Sequence, residues 1–271
     1  MIKPFLKWAG GKRALIPVLQ QYLPENVQDL TYYEPFLGGG SMLFHLKPKK
    51  AFVNDINCNL ITTYQQIKDN PEELIAKLKT MKNDKDFFYD VRFAFNYDDK
   101  LDPLTRAAYM IYLNMTCFNG LYRLNKKGLF NTPFGKYTNP TICNEETLRD
   151  DSEFFNSSDI VFSCGSYKDL LKGIKEDSFV YFDPPYYPIN EEKKNFTSYS
   201  SQEFLKNEQI ELRDTCDHLN AKGIKFMLSN SNSDFIKEIY EGYTIREVDF
   251  KHRISVNPET RQVKELIVTN Y

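Results

Sequence analysis

An acidic residue, two prolines and a tyrosine directly follow a hydrophobic run in this sequence. The run is Phe-Val-Tyr-Phe at residues 179–182, and Asp183, Pro184, Pro185 and Tyr186 come next. The run predicts a buried strand, and the prolines must end it because proline cannot donate a hydrogen bond to a sheet. In open α/β sheets ligands bind at the carboxyl ends of the strands, so we interpret these four residues as a catalytic segment.

The chemistry that fits this segment is methylation of an amino group on a flat base. The exocyclic amine of adenine is a poor nucleophile because its lone pair is delocalised into the ring. Asp183 can accept a hydrogen bond from one N–H and the Pro184 carbonyl from the other, and the prolines hold that carbonyl in place. Tyr186 offers a ring for stacking, and a base in a duplex must be flipped out to reach it. The alternative is that the prolines only end the strand and that Asp183 caps the next segment.

A glycine-rich turn forms a second candidate site near the N-terminus. Residues 34–41 read Glu-Pro-Phe-Leu-Gly-Gly-Gly-Ser after a short predicted strand. Such a turn lets the backbone approach a ligand closely. Gly38 and Gly40 start a dinucleotide motif, but its third glycine would fall on Leu43, which disfavours NAD. Asp55, at the end of the next strand, suits a ribose, so the turn and this acid favour an adenosine-containing ligand.

Composition and spacing disfavour several other classes. The Gly-Gly-Lys at residues 10–12 is not a P-loop, because Leu6 and Arg13 stand where glycine and Ser or Thr are required. The three histidines are far apart, and we identify no metal site. No apolar run could span a membrane, and no signal peptide is evident. The five scattered cysteines predict reduced thiols in a cytoplasmic protein.

The charge is unevenly distributed along the 271 residues. The net charge is −2, but residues 103–144 contain no acid and five basic residues, so the remainder carries −7. This separation favours a nucleic-acid-binding face on an acidic body. An exposed charged surface without a ligand is the alternative.

The order of elements predicts an α/β fold with an insertion. Helix-start signals of a capping residue followed by proline occur at Asn70 and Asp102. Turn signals over residues 118–137 predict a loop with a β-hairpin. Further helices are expected over about 14–22, 201–221 and 234–241, and a mobile loop beside the site over 191–200. The predicted strands lie near residues 31–33, 51–53, 160–162, 179–182, 224–229, 244–250 and 265–269.

These residues together resemble the Dam-type DNA adenine-N6 methyltransferases of the alpha group. The resemblance spans essentially the whole chain and rests on residues 5–12, 34–41, 54–57, 117–123, 128–135, 183–186 and 265–271. It implies a Rossmann-like methyltransferase fold with a seven-stranded, mostly parallel sheet. Residues 1–56 and 160–271 would form the catalytic domain, and residues 57–159 an inserted, mainly helical target-recognition domain.

The resemblance also implies S-adenosylmethionine as methyl donor and double-stranded DNA, read at GATC, as substrate. Arg123 would read a guanine, Phe118 would enter the stack left by the flipped base, and Lys7 would touch an outer guanine or its phosphate. Met115 and Leu129 depart from the family's usual arginine and acid. The implied cofactor residues are Trp8, Lys12, Phe36, Gly38, Gly40, Asp55, Ser166, Tyr167 and Asp183. The implied DNA-binding residues are Lys7, Phe118, Asn119, Leu121, Arg123, Asn131 and Pro133.

Two kinds of alternative function stay open on the sequence. One is the same chemistry on another acceptor, such as cytosine N4, an RNA adenine or a protein glutamine. The other is a DNA-binding module without catalysis, which the intact segment from Asp183 to Tyr186 disfavours. A cognate restriction enzyme is a candidate partner, and the sequence does not determine the oligomeric state.

Overall fold

Seven strands form one sheet in the order β3-β2-β1-β4-β5-β7-β6. A computed structural model describes residues 4–8, 10–189, 204–251 and 262–271. The strands are β1 (Thr31–Glu34), β2 (Lys50–Asp55), β3 (Asp159–Cys164), β4 (Ser178–Phe182), β5 (Lys225–Ser231), β6 (Thr244–Lys251) and β7 (Gln262–Thr269). The first five strands are parallel, and β7 runs antiparallel between β5 and β6. The predicted Rossmann-like fold with a mostly parallel sheet is confirmed.

Helices connect the strands and pack on the sheet. They are α1 (Ile16–Leu19), α2 (Ser41–Leu46), α3 (Cys58–Asp69), α4 (Pro71–Lys79), α5 (Lys85–Tyr97), α6 (Pro103–Thr116), α7 (Glu145–Ser157), α8 (Tyr167–Leu170), α9 (Lys206–Ala221) and α10 (Asp234–Ile239). Both predicted helix starts are confirmed, because α4 begins after Asn70 and α6 after Asp102. The Asp102 carboxylate accepts a hydrogen bond from the Thr105 amide, which caps α6.

The five helices α3 to α7 lie between β2 and β3, which are neighbouring strands. Their apolar side chains share one hydrophobic cluster with the sheet, so that Tyr64 of α3 and Phe155 of α7 both contact Phe162 of β3. A second cluster covers the other face of the sheet, between β4, β5, β7 and α9. The two clusters fix the strand ends that carry the candidate site.

The structure changes three details of the predicted elements. The single helix expected over 14–22 is a short α1 between two 3₁₀ turns, because Pro17 cannot donate to a longer helix. The predicted hairpin is held by two isolated antiparallel bridges, Cys117 with Phe134 and Leu124 with Phe130. Helix α9 begins at Lys206; the expected loop over 191–200 lies outside the described residues.

The expectation of five reduced thiols is wrong for one pair. Cys58, at the start of α3, and Cys164, at the end of β3, form a disulfide with their Cα atoms 5.2 Å apart. Their separation of 106 residues in the sequence hid this proximity. Cys117, Cys143 and Cys216 are free.

The described residues contain neither a candidate membrane span nor a candidate metal site. No helix among them is long and apolar enough to cross a membrane. No group of three or more His, Cys, Asp or Glu side chains among them could hold a metal ion.

Candidate active site

The catalytic segment follows the central strand β4, as its sequence predicted. All five residues of β4 are buried, with β1 on one side and β5 on the other. The strand ends at Phe182, and Asp183 and the two prolines lie just beyond it. Side chains after β1, β2, β3 and β4 therefore meet at one edge of the sheet.

Lys12 joins two carboxylates at this edge. Its ammonium lies 3.3 Å from Asp183 Oδ1 and 3.7 Å from Glu265 Oε2. The same ammonium lies 4.1 Å from the centre of the Tyr186 ring, within the range of a cation–π contact. The Tyr186 hydroxyl donates a 2.6 Å hydrogen bond to Glu265 Oε2. These four side chains form a closed cluster, which we call the Lys12 cluster.

Burial controls the ionisation of the Lys12 cluster. It raises the pKa of Asp183 to about 6, with the Lys12 ammonium opposing the shift and the Glu265 carboxylate adding to it. Burial, together with the charges of Asp183 and Glu265, raises the pKa of Tyr186 well above its usual value. Tyr186 therefore keeps its proton near neutral pH, and Asp183 is mainly a carboxylate that can accept a hydrogen bond.

Two buried amides hold the backbone after Asp183. The Gln209 side chain of α9 donates a 2.9 Å hydrogen bond to the Pro185 carbonyl. Asn230 of β5 donates to Gln209 Oε1 at 3.0 Å and accepts a bond from the Tyr187 amide at 3.2 Å. Sequence reasoning missed these residues. The one available signal was Asn230, a polar residue that closely follows the apolar residues 226–228 in the same predicted strand region.

The glycine-rich turn packs against Trp8. Gly38 and Gly40 both have positive φ, at 48° and 64°, a region that disfavours other residues. A Cβ atom on Gly38 would lie 2.9 Å from Trp8 Nε1, so the turn also needs glycine for packing. Trp8 stacks on Tyr122, with their ring centres 5.3 Å apart, which joins the N-terminal segment to the hairpin segment.

Asp55 fastens the turn to the end of β2. Its carboxylate accepts 2.9 Å hydrogen bonds from the amides of Gly38 and Asn57. Burial raises its pKa, and the two amides oppose that shift. Each carboxylate oxygen can accept more than one hydrogen bond, so Asp55 retains capacity for a ribose hydroxyl.

Three aromatic rings, those of Phe36, Tyr167 and Phe204, pack together at the same edge of the sheet. The ring of Phe36 is 5.2 Å from that of Tyr167 and 5.7 Å from that of Phe204. Ser166 accepts a hydrogen bond from the Lys168 amide and caps α8. Ring faces, the half-buried carboxylate of Asp55 and an anionic cluster suit a ligand made of a purine, a ribose and a cationic centre.

The predicted DNA-binding residues are grouped around the hairpin. Phe118 is 54% exposed at its base, next to Asn119, whose φ is 55°. Arg123 Nε donates a 2.8 Å hydrogen bond to Asn131 Oδ1, while the Asn131 amide bonds the Arg123 carbonyl at 3.0 Å. Leu121 is half-buried, and Pro133 is exposed.

Lys7 lies against the same segment. Its backbone amide donates to Asn114 Oδ1 at 2.8 Å, and its ammonium is 4.7 Å from the centre of the Tyr137 ring. The structure thus brings the predicted site residues together in two groups. One lines the carboxyl edge of the sheet and the other the hairpin.

The chain matches the family model of the D12 class N6 adenine-specific DNA methyltransferases over residues 8–254. It is 40% identical to the type II methyltransferase M1.LlaDCHI of Lactococcus lactis subsp. cremoris, over 100% of this chain and 96% of that protein. It is 39% identical to the type II methyltransferase M.MjaIII of Methanocaldococcus jannaschii, over 100% and 99%. It is 32% identical to the DNA adenine methylase of Escherichia coli K12, over 98% and 94%.

The fold and the site therefore define an amino methyltransferase, and the chain belongs to the D12 class of N6 adenine-specific DNA methyltransferases. The resemblance to the Dam type is confirmed by relatives named DNA adenine methylase. Its substrate is adenine in DNA, which removes cytosine, RNA and protein glutamine as acceptors and the non-catalytic module as an alternative.

Proposed function

We propose that this enzyme transfers a methyl group from S-adenosylmethionine to N6 of the adenine in duplex GATC, after flipping that adenine out of the helix. The observation that carries the proposal is the Lys12 cluster at the end of β4. It places the Asp183 carboxylate beside two prolines and the ring of Tyr186. These groups suit a flat base with an exocyclic amine.

Asp183 and Pro184 prepare the amine for attack. Asp183 accepts one N–H of the base, and the Pro184 carbonyl accepts the other. The lone pair on the nitrogen then localises. Asn230 donates to the Gln209 side chain, which in turn donates to the next carbonyl, that of Pro185. These two hydrogen bonds limit motion of the segment. The Asp183 carboxylate is also placed to take the proton that the nitrogen loses, while Tyr186 stacks on the base.

The residues at the carboxyl edge would hold the methyl donor. When bound, S-adenosylmethionine supplies a methyl group on a sulfonium cation. Two carboxylates and one ammonium in the Lys12 cluster favour a cation nearby. Asp55 would bind the ribose hydroxyls, and the backbone at Gly38 and Gly40 would approach the donor closely. The remaining proposed contacts are Trp8, Lys12, Phe36, Ser166, Tyr167 and Asp183.

The hairpin would read the sequence. Arg123 would donate to the acceptors of a guanine, the commonest specific contact in the major groove, worth ~1–3 kcal/mol of discrimination. Its bond to Asn131 supports this role, since it fixes the guanidinium before DNA arrives. Leu121 and Pro133 would contact bases through apolar groups, with Phe118, Asn119 and Lys7 around them.

Catalysis and target recognition would fall in different parts of the chain. Residues 1–56 and 160–271 would carry catalysis, and residues 57–159 would carry target recognition. Two relatives are named type II methyltransferases, which favours a restriction–modification role with a cognate restriction enzyme as partner. A DNA substrate would also place the protein in the cytoplasm of its host cell.

The test is methyl transfer from labelled S-adenosylmethionine to two duplexes, one with GATC and one with its central A·T pairs scrambled. Label on the GATC duplex alone supports donor, acceptor and sequence. Label on both duplexes overturns the proposed specificity. No label on either overturns the proposal.

A variant pair then tests the role of Asp183. We expect Asp183→Ala to lower turnover at least about 1000-fold while the duplex still binds. The control is Asp159→Ala, at the amino end of β3 and therefore at the opposite edge of the sheet, where the carboxylate is exposed. Retained turnover in Asp183→Ala would refute the proposed chemistry.

A further inference from the structure

A buried glutamate enters the active site from the C-terminal strand. Glu265 lies in β7, the antiparallel strand of the sheet, and is 4% exposed. It pairs in register with Ser231 of β5 and Val248 of β6. The next four residues of β7 are all buried, so Glu265 is an acid within an interior strand.

A carboxylate in such a position is costly unless partners compensate for lost water. Among the described residues Glu265 has two partners, and both belong to the site. It accepts the Tyr186 hydroxyl at 2.6 Å and lies 3.7 Å from the Lys12 ammonium. Both contacts are polar and belong to the Lys12 cluster, so this carboxylate has a role beyond packing.

Lys12 is shared between two carboxylates. Its distances to Asp183 and Glu265, 3.3 and 3.7 Å, exceed the 2.7–2.9 Å that is typical of a strong charged hydrogen bond. If Glu265 lost its charge, the ammonium would be drawn towards Asp183 alone. The Lys12 ammonium would then compete with the exocyclic amine of the base for the hydrogen-bond acceptor of Asp183.

We infer that Glu265 is a positioning residue for methyl transfer, which orients the Tyr186 ring through its hydroxyl and keeps the Lys12 ammonium from occupying Asp183. This inference rests on the proposed function. It gives β7 a role in the reaction. On the sequence alone, only the family resemblance of residues 265–271 connected this strand with the site. Glu265 touches neither the base nor the donor in this proposal, so it acts through Tyr186 and Lys12.

The pH dependence of the rate can distinguish this role from a purely structural one, because it depends on the charges around Asp183. Glu265 contributes to the raised pKa of Asp183 and Lys12 opposes it. Removing the negative charge of Glu265 should therefore lower that pKa and shift the acidic limb of the rate to lower pH. The titratable groups that influence or face Asp183 are Lys12, Tyr32, Glu34, Tyr181, Tyr186 and Glu265.

The experiment compares Glu265→Gln with Glu247→Gln in the full-length protein. Glu247 lies in the neighbouring β6, where it pairs with Lys237 and Lys264 at the surface, so the same chemical change there is a matched control. Single-turnover methylation of the GATC duplex is measured from pH 5 to pH 8 with saturating S-adenosylmethionine. Duplex binding and thermal unfolding are measured alongside.

For Glu265→Gln we expect a roughly 10- to 100-fold lower rate at pH 7.5, a dissociation constant for the duplex within about twofold of the parent, and an acidic limb displaced to lower pH. Glu247→Gln should match the parent. An unchanged rate, or a lower rate with an unmoved acidic limb, would overturn the inference. An inactive parent enzyme would instead overturn the proposed function.

Tyr186→Phe tests the same inference without changing Glu265. This change removes the hydroxyl that Glu265 holds but keeps the ring. The rate should fall, and adding Glu265→Gln in a folded double variant should cost less than the product of the two single effects. A Tyr186→Phe enzyme with the parent's rate would overturn the role assigned to the hydroxyl bond.

Discussion

Asp151 is a carboxyl group in the interior of the protein, far from the proposed chemistry in sequence. It lies in α7 and is 0% exposed, and neither of its oxygens has a hydrogen-bond partner among the described residues. Burial raises its pKa to about 8, and the nearby charge of Asp150 adds to the shift. The folded state therefore binds this proton more tightly than the unfolded chain does.

The sign of the pH effect follows from that difference. Stability that depends on a protonated Asp151 is fully present below its ordinary pKa of 3.8 and is lost as pH rises towards about 8. Asp151→Asn keeps the shape and removes the charge. We expect it to raise the free energy of unfolding relative to the parent by about 1–3 kcal/mol at pH 8 and by less at pH 5, in urea titrations.

Glu153→Gln is the control for this prediction. Glu153 lies in the same helix but is exposed, so the same chemical change should leave the pH dependence of unfolding unaltered. Asp151→Asn could instead change the free energy of unfolding by the same amount at pH 5 and at pH 8. The pH dependence of the parent would then not come from the Asp151 carboxyl group.

At the scale of elements, helix α5 supports the hairpin through two of its side chains. The Asn96 side chain accepts a 2.8 Å hydrogen bond from the Phe130 amide and donates one of 2.9 Å to the Phe130 carbonyl. It thus pairs with the hairpin backbone as a neighbouring strand would. Arg92, one turn earlier, reaches the Thr132 carbonyl at 3.4 Å. A hairpin with two isolated bridges is in this way held by side chains from a helix.

We expect Asn96→Ala to weaken DNA recognition, because the two bonds to Phe130 are lost at a cost of about 1–2 kcal/mol. Binding to the GATC duplex should weaken, and discrimination against a duplex with one altered base pair should narrow, as measured by fluorescence anisotropy. Asp90→Ala, an exposed change in the same helix, should have neither effect. Parent-like discrimination by Asn96→Ala would show that α5 does not hold the reading surface.

The elements also show how far the sequence could predict this structure. The strand before Asp183 and the helix starts at Asn70 and Asp102 are local features, because hydrophobic runs, prolines and caps act within a few residues. The Cys58–Cys164 disulfide and the contacts of Glu265 depend on which strands become neighbours. Nothing local encodes that pairing.

At the scale of the whole molecule, positive charge is concentrated in the segment that bears the hairpin. Residues 103–144 carry five basic and no acidic side chains. Lys126 and Lys127 are both exposed at the turn of the hairpin. A protein with negative net charge can bind DNA in this way, because the phosphates meet only the local charge.

We expect the double variant Lys126→Ala/Lys127→Ala to bind DNA less tightly and with a weaker dependence on salt. Each lost phosphate contact should reduce the slope of log K against log salt concentration by about 0.9. The measurement is anisotropy of a labelled duplex between 50 and 200 mM salt, a range over which such slopes are evident. Lys172→Ala/Lys175→Ala, at two exposed lysines that follow α8, should retain the parent's slope. A slope unchanged by the hairpin variant would show that these lysines do not contact phosphates.

The neighbouring positions of β2 and β3 have an evolutionary consequence. The chain leaves the sheet after Asp55 and returns through β3, and Asp55 and Cys164 are partners in register. All five helices α3 to α7, which lie between these two strands, share the hydrophobic cluster of the sheet. Recombination at the boundaries of residues 57–159, the proposed recognition domain, could exchange this insertion for another while every strand kept its neighbours, as long as the new helices filled the same core. A lineage could in this way acquire a new target sequence and inherit its methyl-transfer chemistry unchanged.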